Sequence, residues 1–375
     1  MINTSEFCKH LFIRGVDFYT GVPDSLLKDI SAFITDNVPK ENHIISANEG
    51  ASIGLAVGHY LATTKLALVY MQNSGIGNAI NPLLSIADEK VYGIPMLLLI
   101  GWRGEPGIKD EPQHIRQGEI NEDLLQAMKI PYQILDANSD FTIVLDTAIK
   151  TAIKESKPYV LLVRKNTFEK YTLKNTELSA FELNREGAVQ LIIDSLKNKD
   201  IVVSTTGKTS REVFEYRELL NQSHENDFLT VGAMGHASSI AIGIAKEKEK
   251  QNVYCLDGDG AVIMHMGSLA VNGTLVNIKN LKHIVINNGA HDSVGGQPTV
   301  GFNISFPLIA KACGYTFSNS ACTALEIIEN LKLLAAHKGS AFLEIKVNKG
   351  ARENLGRPTS TPQQNKTSFM EFLKK

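Results

Sequence analysis

The chain has 375 residues, 43% of them hydrophobic and 21% charged, with a formal net charge of −2 at pH 7. This composition is typical of a globular protein with material for two cores, and its charge gives no sign of a nucleic-acid partner. Because no run of about eighteen apolar residues occurs and the amino terminus lacks a secretory signal pattern, we predict no membrane association. Four scattered cysteines without a CxxC pair predict reduced thiols and a cytoplasmic location.

Short apolar runs recur along the first half of the chain, and helix-like stretches such as "GASIGLAVGHYLATT" from Gly50 separate them. The runs start at His43, Lys65, Pro95, Tyr132 and Tyr159. Continuous apolar strands that alternate with helices are typical of a parallel sheet covered on both faces.

The polar stretch "RKNTFEKYTLKNTELSAFELN" from Arg164 interrupts this alternation and predicts a linker. The alternation of apolar runs and helix-like stretches then resumes, with runs that start at Asp200, Phe228, Asn252, His283 and Ala341. We therefore predict an α/β protein of two doubly wound parallel-sheet domains, residues 1–178 and 179–375.

Two glycine-rich turns resemble phosphate-binding motifs but fail the test of spacing. "NSGIGNAINPL" from Asn73 carries Gly75 and Gly77, but Ile80 stands where the dinucleotide fingerprint requires glycine. "TTGKTSRE" from Thr205 ends like a P-loop, but Val202 occupies the position of its first glycine. For the turn in "TTGKTSRE", two roles remain open: a simple helix cap, or a contact with a diphosphate through backbone N–H groups.

A third turn, Gly258-Asp259-Gly260, is followed after a helix-length segment by a strand that ends in Asn287-Asn288. Parallel strands end at a common edge of a sheet, so Asp259 and Asn288 can meet there. Carboxylate and amide oxygens suit Mg²⁺, which takes its remaining ligands from phosphates and water. The glycines allow backbone donors to approach a diphosphate.

This GDG and NN pair resembles the signature of the thiamine-diphosphate enzymes. The resemblance implies thiamine diphosphate and Mg²⁺ as cofactors, with Asp259, Asn288 and the backbone carbonyl of Ala290 as the metal ligands. It implies further cofactor contacts from a set of residues around two turns: Gly232, Met234, Gly258, Gly260 and Ala261. Met234, in "VGAMGHASSIAIGIA", would be the apolar wedge between the two cofactor rings; an ordinary core position is the alternative.

The resemblance also requires a glutamate at a helix start after an early strand, and "HIISANEGASIGLAVG" offers Glu49. A carboxylate there has a simpler alternative role, which is to offset the helix dipole. In the family the glutamate contacts the cofactor's aminopyrimidine and assists removal of the proton from its reactive carbon. Glutamate and metal site belong to different chains of a dimer, so we predict a homo-oligomer, at least a dimer, with active sites between chains.

Segments along nearly the whole chain resemble the phosphonopyruvate decarboxylases, which lack the middle domain of larger relatives. They include "GVPDSLL" from Gly21, "GWRGEPGIKDEPQH" from Gly101, "GGQPT" from Gly295 and "GARENLGRPTSTP" from Gly350. The resemblance implies decarboxylation of 3-phosphonopyruvate to phosphonoacetaldehyde and CO₂, in phosphonate (2-aminoethylphosphonate) biosynthesis. Residues 1–178 would then bind the pyrimidine and residues 179–375 the diphosphate.

A phosphonate needs cationic or hydrogen-bonding partners, and arginine suits it best. The basic candidates lie in segments that we interpret as long loops: Arg103, Lys109, Arg116, Arg352 and Arg357. Asp24 and Ser25 occupy the position where relatives meet the substrate, although a helix cap is an alternative role. His114 is a candidate proton carrier, with His236 and His291 as weaker ones. For each basic residue and histidine, a solvated surface position is the alternative.

Three other functions remain open at this stage. Sulfopyruvate decarboxylase has a similar pattern but often divides its two domains between subunits, so fusion favours the phosphonate enzyme. A carboligase of the acetolactate type would keep the cofactor and change the reaction. A degenerate regulatory subunit would be noncatalytic, and the presence of Glu49, Asp259 and Asn288 argues against it.

Overall fold

The computed structural model describes residues 1–175 and 179–375. The chain divides into two compact units, Met1–Thr176 with Ser293–Gln297, and Glu177–Asp292 with Pro298–Lys375. The predicted boundary between residues 178 and 179 adjoins residues 176–178, which lie outside the described residues, so that boundary stays a prediction.

The first unit contains a six-stranded parallel sheet of order β2-β1-β3-β4-β6-β5. Its strands are β1 (Phe18–Gly21), β2 (His43–Ile45), β3 (Ala67–Gln72), β4 (Leu97–Gly101), β5 (Tyr132–Leu135) and β6 (Tyr159–Val163). Its helices are α1 (Thr4–Ile13), α2 (Lys28–Asn37), α3 (Glu49–Thr63), α4 (Ile76–Pro82), α5 (Pro112–Glu119), α6 (Asn121–Ala127) and α7 (Phe141–Glu155). Short helical turns occupy Lys40–Asn42, Asn73–Gly75 and Leu83–Ala87.

The second unit repeats this architecture with a six-stranded parallel sheet of order β11-β12-β10-β9-β7-β8. Its strands are β7 (Ile201–Ser204), β8 (Asp227–Leu229), β9 (Val253–Gly258), β10 (Leu281–Asn287), β11 (Phe317–Ala321) and β12 (Ala341–Lys346). Its helices are α8 (Arg185–Ser195), α9 (Lys208–Leu219), α10 (Ala237–Glu247), α11 (Asp259–Met264), α12 (Gly267–Thr274), α13 (Phe306–Ala312), α14 (Ala324–Ala336) and α15 (Pro362–Lys374).

The two sheets share one topology. Numbered from its own first strand, the second sheet reads 5-6-4-3-1-2, which is the order 2-1-3-4-6-5 of the first sheet taken from the other edge. The predicted fold class, two doubly wound parallel-sheet domains, is confirmed. No sequence repeat accompanies this match, because topology depends on strand order rather than on residue identity.

Each sheet is covered on both faces, which explains why its strands read as continuous apolar runs. In β3, Leu68 and Tyr70 face one core of the first unit, whereas Val69 and Met71 face the other. The two faces of β9 are divided in the same way, since alternate residues of a strand point to opposite sides. Among the described residues, none of the helices has the length and apolar character that crossing a membrane requires.

One predicted loop is wrong in part. The segment from Gly101 to Gly118 contains the helix α5, so His114 and Arg116 lie on a helix rather than on a loop. Pro112 occupies the first turn, where its missing N–H costs nothing and its fixed φ angle favours helix formation. The segment is mostly polar and charged, so it lacks the apolar periodicity on which the sequence-based expectation relied.

Candidate active site

In the second unit, the GDG turn and the NN pair lie at the same edge of the sheet. β9 and β10 are paired neighbours, with Ile286 opposite Gly258, so the residues that follow each strand emerge side by side. Asp259 begins α11 and is buried. The backbone N–H of Asn288 donates a hydrogen bond to the Asp259 carboxylate, which joins the two motifs directly.

The environment of Asp259 suits a cation ligand. Burial raises the pKa of its carboxyl to about 6, although hydrogen bonding from the Thr299 hydroxyl opposes that shift. Gly301 closes over the group so tightly that a Cβ atom there would lie 2.6 Å from Asp259 Oδ2. A buried carboxylate with this raised pKa would be stabilised in its ionised form by a divalent cation.

The two adjacent asparagines have different surroundings. The Asn287 Nδ2 atom donates to Glu344 Oε1 and to the Gly301 carbonyl, each at 2.8 Å, and its Oδ1 accepts from Gly289 N at 3.1 Å. The amide group of Asn287 therefore makes its hydrogen bonds within the protein and stabilises the fold. The Oδ1 atom of Asn288 accepts the N–H of Ala290 at 3.1 Å, and its second lone pair can serve a metal ion.

The donor set at this edge fits Mg²⁺. A carboxylate, an amide oxygen and a backbone carbonyl are hard oxygen ligands, and they come from Asp259, Asn288 and Ala290, all of which are buried. Few protein ligands suffice, because Mg²⁺ keeps waters and phosphate oxygens in its shell. The expected metal residues therefore converge, and their role as ligands stays a prediction.

The expected cofactor contacts cluster around the same turn. A Cβ atom at Gly260 would lie 3.4 Å from Met234 Cε and 3.1 Å from His291 Cε1, so both side chains border the GDG turn. Gly232 has a φ of +66°, and its N–H donates to Thr206 Oγ1 at 2.9 Å. Apart from Gly258 itself and its two chain neighbours, no described atom lies within 4 Å of a Cβ built on Gly258, and that open space would allow a diphosphate to approach the backbone.

Three of the remaining residues near this turn are Ala261, His291 and His236. Ala261 is buried, and a Cβ at Gly235 would lie 2.9 Å from its carbonyl oxygen. Burial lowers the pKa of His291 to about 4, which makes this ring a poor proton donor at neutral pH. His236 is exposed, with its Nδ1 atom 3.2 Å from the Met234 carbonyl oxygen.

In the first unit, Glu49 is a buried carboxyl group at the start of α3. The helix is capped by Asn48, whose side chain accepts from Ala51 N, and Glu49 stands in the first turn, where its carboxylate can also offset the helix dipole. Its Oε2 accepts a hydrogen bond from Asn78 Nδ2 at 2.8 Å, and burial raises its pKa. Gly75 makes room for the carboxyl group, since a Cβ there would lie 2.5 Å from Glu49 Oε1. Such a group is suited to hydrogen bonding with a heterocyclic ring nitrogen.

Asp24, Ser25 and Arg103 lie together at the carboxyl edge of the first sheet. Arg103 Nη1 donates to Ser25 Oγ at 2.7 Å. Asp24 is buried, and its pKa is raised to about 6 by that burial, although the charge of Arg103 opposes the shift. Its Oδ2 accepts Leu26 N at 3.1 Å, so it stabilises a turn rather than capping α2.

A cavity of about 230 Å³ opens beside these residues. It is lined by both charges and apolar groups: Ser25, Leu26, Trp102, Arg103, Gly104, Glu105, Ile108, Lys109, Asp110 and Lys165. Arg103 pairs with Asp110 through two hydrogen bonds, one of them 2.7 Å from Nε to Oδ2. Burial alone would raise the pKa of Asp110, but the hydrogen bonds from Arg103 and from backbone N–H groups outweigh it and lower that pKa.

His114 is buried on α5, and its pKa is lowered first by burial and then by the charge of Arg103. The imidazole is therefore neutral at pH 7 and able to accept a proton. Arg103 also acts electrostatically on Asp24, so one cation influences two of the predicted acid–base groups of this unit, Asp24 and His114.

The other basic candidates lie in different surroundings. Arg116 is exposed and pairs with Glu119 at 2.8 Å, as a surface ion pair. Arg352 pairs with Glu186 at 2.8 Å and also with Glu215, so two carboxylates already balance its charge. Arg357 is exposed on the same carboxyl-terminal segment. For Arg116 and Arg352 the contacts favour a structural role over phosphonate binding.

Several residues that shape the site were missed by the sequence analysis. Asn78 orients Glu49, Thr299 contacts Asp259, and Asp110 neutralises Arg103. Lys165 lines the cavity, although it follows β6 and is far from the other lining residues in sequence. Asn78, Asp110 and Thr299 lie within segments already quoted, "NSGIGNAINPL", "GWRGEPGIKDEPQH" and "GGQPT". Their contacts were missed because spacing along the chain does not reveal them.

Comparison with known proteins covers both units. Residues 7–127 match the family of the thiamine pyrophosphate enzyme N-terminal TPP binding domain, and residues 205–345 match that of the C-terminal TPP binding domain. A phosphonopyruvate decarboxylase of Streptomyces viridochromogenes is 32% identical over 391 residues, covering 100% of this chain and 95% of the relative.

A phosphonopyruvate decarboxylase of Streptomyces hygroscopicus is 30% identical, covering 99% of this chain and 94% of the relative. A sulfopyruvate decarboxylase of Methanosarcina acetivorans is 26% identical, covering 96% and 94%. The resemblance found in the sequence motifs is thus confirmed over the whole length. The chain belongs to the thiamine pyrophosphate enzymes and, within them, to the family of the phosphonopyruvate decarboxylases.

Proposed function

We propose that the chain is a carboxy-lyase that converts 3-phosphonopyruvate to phosphonoacetaldehyde and CO₂ in phosphonate (2-aminoethylphosphonate) biosynthesis, with thiamine diphosphate and Mg²⁺ as cofactors. The observation that carries the proposal is the end-to-end similarity to two phosphonopyruvate decarboxylases. The convergence of Asp259 and Asn288 at one sheet edge supports it, since a degenerate subunit would have no reason to keep these residues together.

The side chains of both units fit the cofactor. Bound thiamine diphosphate supplies a nucleophilic carbon and accepts the electrons that decarboxylation releases. Asp259, Asn288 and the Ala290 carbonyl would hold Mg²⁺, and backbone groups of the glycine-rich turn Gly258–Ala261 would bind the diphosphate. Glu49 donates or accepts a proton at the aminopyrimidine, and its raised pKa makes protonation at neutral pH easier than for an exposed glutamate.

The cavity beside Arg103 is the proposed phosphonate site. Its lining includes three cations, Arg103, Lys109 and Lys165, against the carboxylates Glu105 and Asp110. Arg103 donates two of its N–H groups to Asp110 and a further one to the hydroxyl oxygen of Ser25. The Ser25 hydroxyl can in turn donate its own hydrogen to the phosphonate, as a second donor beside Arg103. The formal charge of +1 on this lining attracts an anionic group, and the cavity volume of about 230 Å³ accommodates a three-carbon phosphonate.

Asp24 and His114 are the proposed proton carriers near this cavity. His114 is neutral at pH 7 and can accept a proton. Asp24, with a pKa of about 6, can both release and take up a proton near neutral pH. A group that titrates near the working pH is suited to both directions of transfer. Asp24 in its protonated form would supply the proton that the reacting carbon takes up after CO₂ leaves, since a neutral imidazole such as that of His114 is a poor acid.

Sulfopyruvate decarboxylation is the second candidate reaction. The relative from Methanosarcina acetivorans spans this chain from end to end as a single polypeptide, so fusion of the two domains does not separate the two activities. The higher identity to the phosphonate enzymes favours phosphonopyruvate. A phosphonate carries up to two negative charges and a sulfonate one, and the net charge of +1 on the cavity lining suits either group.

Steady-state kinetics with three substrates test the proposal. We expect kcat/KM for phosphonopyruvate to exceed that for sulfopyruvate and pyruvate by at least about tenfold, equivalent to about 1.4 kcal/mol of transition-state binding. A preference for sulfopyruvate would assign the chain to the second reaction. Acetolactate formation from pyruvate, at a higher rate than either decarboxylation, would show a carboligase.

We also propose a homo-oligomer, at least a dimer, with Glu49 and the metal residues of each site supplied by different chains. The family's arrangement supports this proposal. A cytoplasmic location is proposed from the four cysteines, which are free thiols, two of them buried.

A further inference from the structure

The loop after β10 contains a carboxylate, Asp292, that the proposed function leaves without a task. Its Oδ2 atom accepts hydrogen bonds from Asn288 Nδ2 at 3.0 Å, Arg185 Nη1 at 2.9 Å and Gly350 N at 2.9 Å. Lys208 Nζ donates to the backbone carbonyl of the same residue at 3.2 Å. Asp292 thus joins four segments of the second unit beside a predicted metal ligand.

The group behind Asp292 is itself held in place. Arg185 is buried at the start of α8, and its Nε and Nη2 atoms donate to the two carboxylate oxygens of Glu212, both at 2.8 Å. A bidentate pair of this kind defines the plane of the guanidinium group. Arg185 therefore presents Nη1 to Asp292 in one direction only.

The orientation of the Asn288 amide follows from this network. A carboxamide has one oxygen and one NH₂ group, and only the oxygen can bind a cation. Because an ionised carboxylate only accepts hydrogen bonds, Asp292 selects the rotamer in which the NH₂ group of Asn288 faces it. The oxygen then points the other way, where it accepts the Ala290 N–H and keeps a second lone pair.

We propose that Asp292 is a positioning residue for the Mg²⁺ site, which, with Arg185 and Glu212 behind it, holds the amide of Asn288 with its oxygen available to the ion. The inference rests on the proposed function, because it requires Asn288 to be a ligand. Residues that orient metal ligands commonly change metal affinity 10–100-fold when they are replaced.

The variant Asp292→Asn keeps the shape of the side chain but removes the charge and places an NH₂ group among three donors. We expect the Mg²⁺ concentration that half-saturates thiamine diphosphate binding, measured by calorimetry, to rise about 10- to 100-fold. In the double variant Asn288→Asp with Asp292→Asn, the NH₂ group and the carboxylate exchange places. Since either oxygen of the carboxylate introduced at position 288 can contact the ion, we expect the exchange to recover most of the Mg²⁺ affinity.

Asp227→Asn is the matched control, since Asp227 is buried and accepts two hydrogen bonds from Arg217, at 2.9 and 3.0 Å, at the amino edge of the same sheet. It should lower the thermal midpoint of the cofactor-free protein and leave the Mg²⁺ requirement unchanged. A purely structural role for Asp292 would give the same result for Asp292→Asn.

An unchanged Mg²⁺ requirement in Asp292→Asn, or an exchange variant no better than the single one, would overturn the proposal. If Asp292→Asn does not fold, Asp292→Glu keeps the charge for Arg185 but displaces the carboxylate from Asn288, and the same rise is expected. Failure of the unmodified protein to bind thiamine diphosphate with Mg²⁺ would instead contradict the proposed function.

Discussion

Asn287 and Asn288 are chemically identical neighbours with different tasks, and their surroundings decide which task each one has. The side chain of Asn287 is fully enclosed, and its amide hydrogens are used by Glu344 and by the Gly301 carbonyl. Asn288 is one residue beyond the end of β10, where its oxygen accepts one backbone N–H and has a second lone pair for a ligand. The NN motif therefore combines one residue that anchors the strand end with one that is available to a ligand.

Asp24 provides a prediction at the scale of a single residue. Burial raises its pKa from 3.8 to about 6 in the folded protein. A raised carboxyl pKa means that the folded state binds the extra proton between about pH 4 and pH 6, so the stabilisation present below that window is lost as the pH rises through 6. Asparagine does not ionise, so Asp24→Asn should escape this loss.

We expect the stability of Asp24→Asn relative to the unmodified protein to increase by roughly 3 kcal/mol between about pH 4 and pH 7. The measurement is the pH dependence of the denaturant midpoint of both cofactor-free proteins. The variant Asp123→Asn, which changes an exposed aspartate of the first unit, serves as the control. Parallel pH profiles for Asp24→Asn and the unmodified protein would contradict a raised pKa at this site.

At the scale of elements, close approach between helices places strict limits on side-chain size. Gly273 near the end of α12 lies against the backbone carbonyl of Cys313, which follows α13, so that a Cβ atom would overlap it. Tyr315 Cδ2 would lie 3.1 Å from the same Cβ. This contact packs two helices of the second unit without involving the predicted site.

Gly273→Ala should therefore destabilise the protein by about 1–3 kcal/mol, the usual cost of overpacking. Gly243→Ala on α10 is the matched control. Apart from its chain neighbours and the backbone of its own helix, no described atom lies within 4 Å of its Cβ, and alanine favours a helix by up to about 1 kcal/mol. Thermal unfolding of both variants measures the difference. Equal midpoints for the two would show that the α12 contact relaxes without cost.

Two strands were absent from the sequence analysis, and both are explained by weak apolar signals. β1 has only four residues, "FYTG", of which Thr20 is polar although buried. β11 reads "FSNSA" and is an edge strand with mostly half-buried residues. Both strands owe their conformation to a paired neighbour, since pairing with β3 or β12 supplies the hydrogen bonds that a local pattern does not predict.

At the scale of the whole molecule, the proposed dimer makes a prediction about mixed chains. Glu49→Ala should abolish turnover and leave diphosphate binding largely intact, whereas Asp259→Ala should weaken cofactor retention. If each site takes its glutamate and its metal residues from different chains, a dimer of one Glu49→Ala and one Asp259→Ala chain contains one complete site.

Co-refolding or co-expression of the two inactive variants should then restore activity to about a quarter of the unmodified level, because about half of the randomly formed dimers are mixed and each has one of two sites intact. The activity of the mixture is measured against each variant alone. If all the residues of a site came from one chain, mixing would restore nothing, because every chain would carry one of the two defects.

The sequence by itself determined the alternation of strands and helices, the GDG and NN pair, and the glutamate at a helix start, because these depend on local residue order. It therefore sufficed for the fold class and for the family. Only the tertiary structure decided which groups act on one another: Arg185 on Asp292, Arg103 on Ser25, Asn78 on Glu49. Those contacts depend on strand order and burial, which bring together residues that no spacing rule connects.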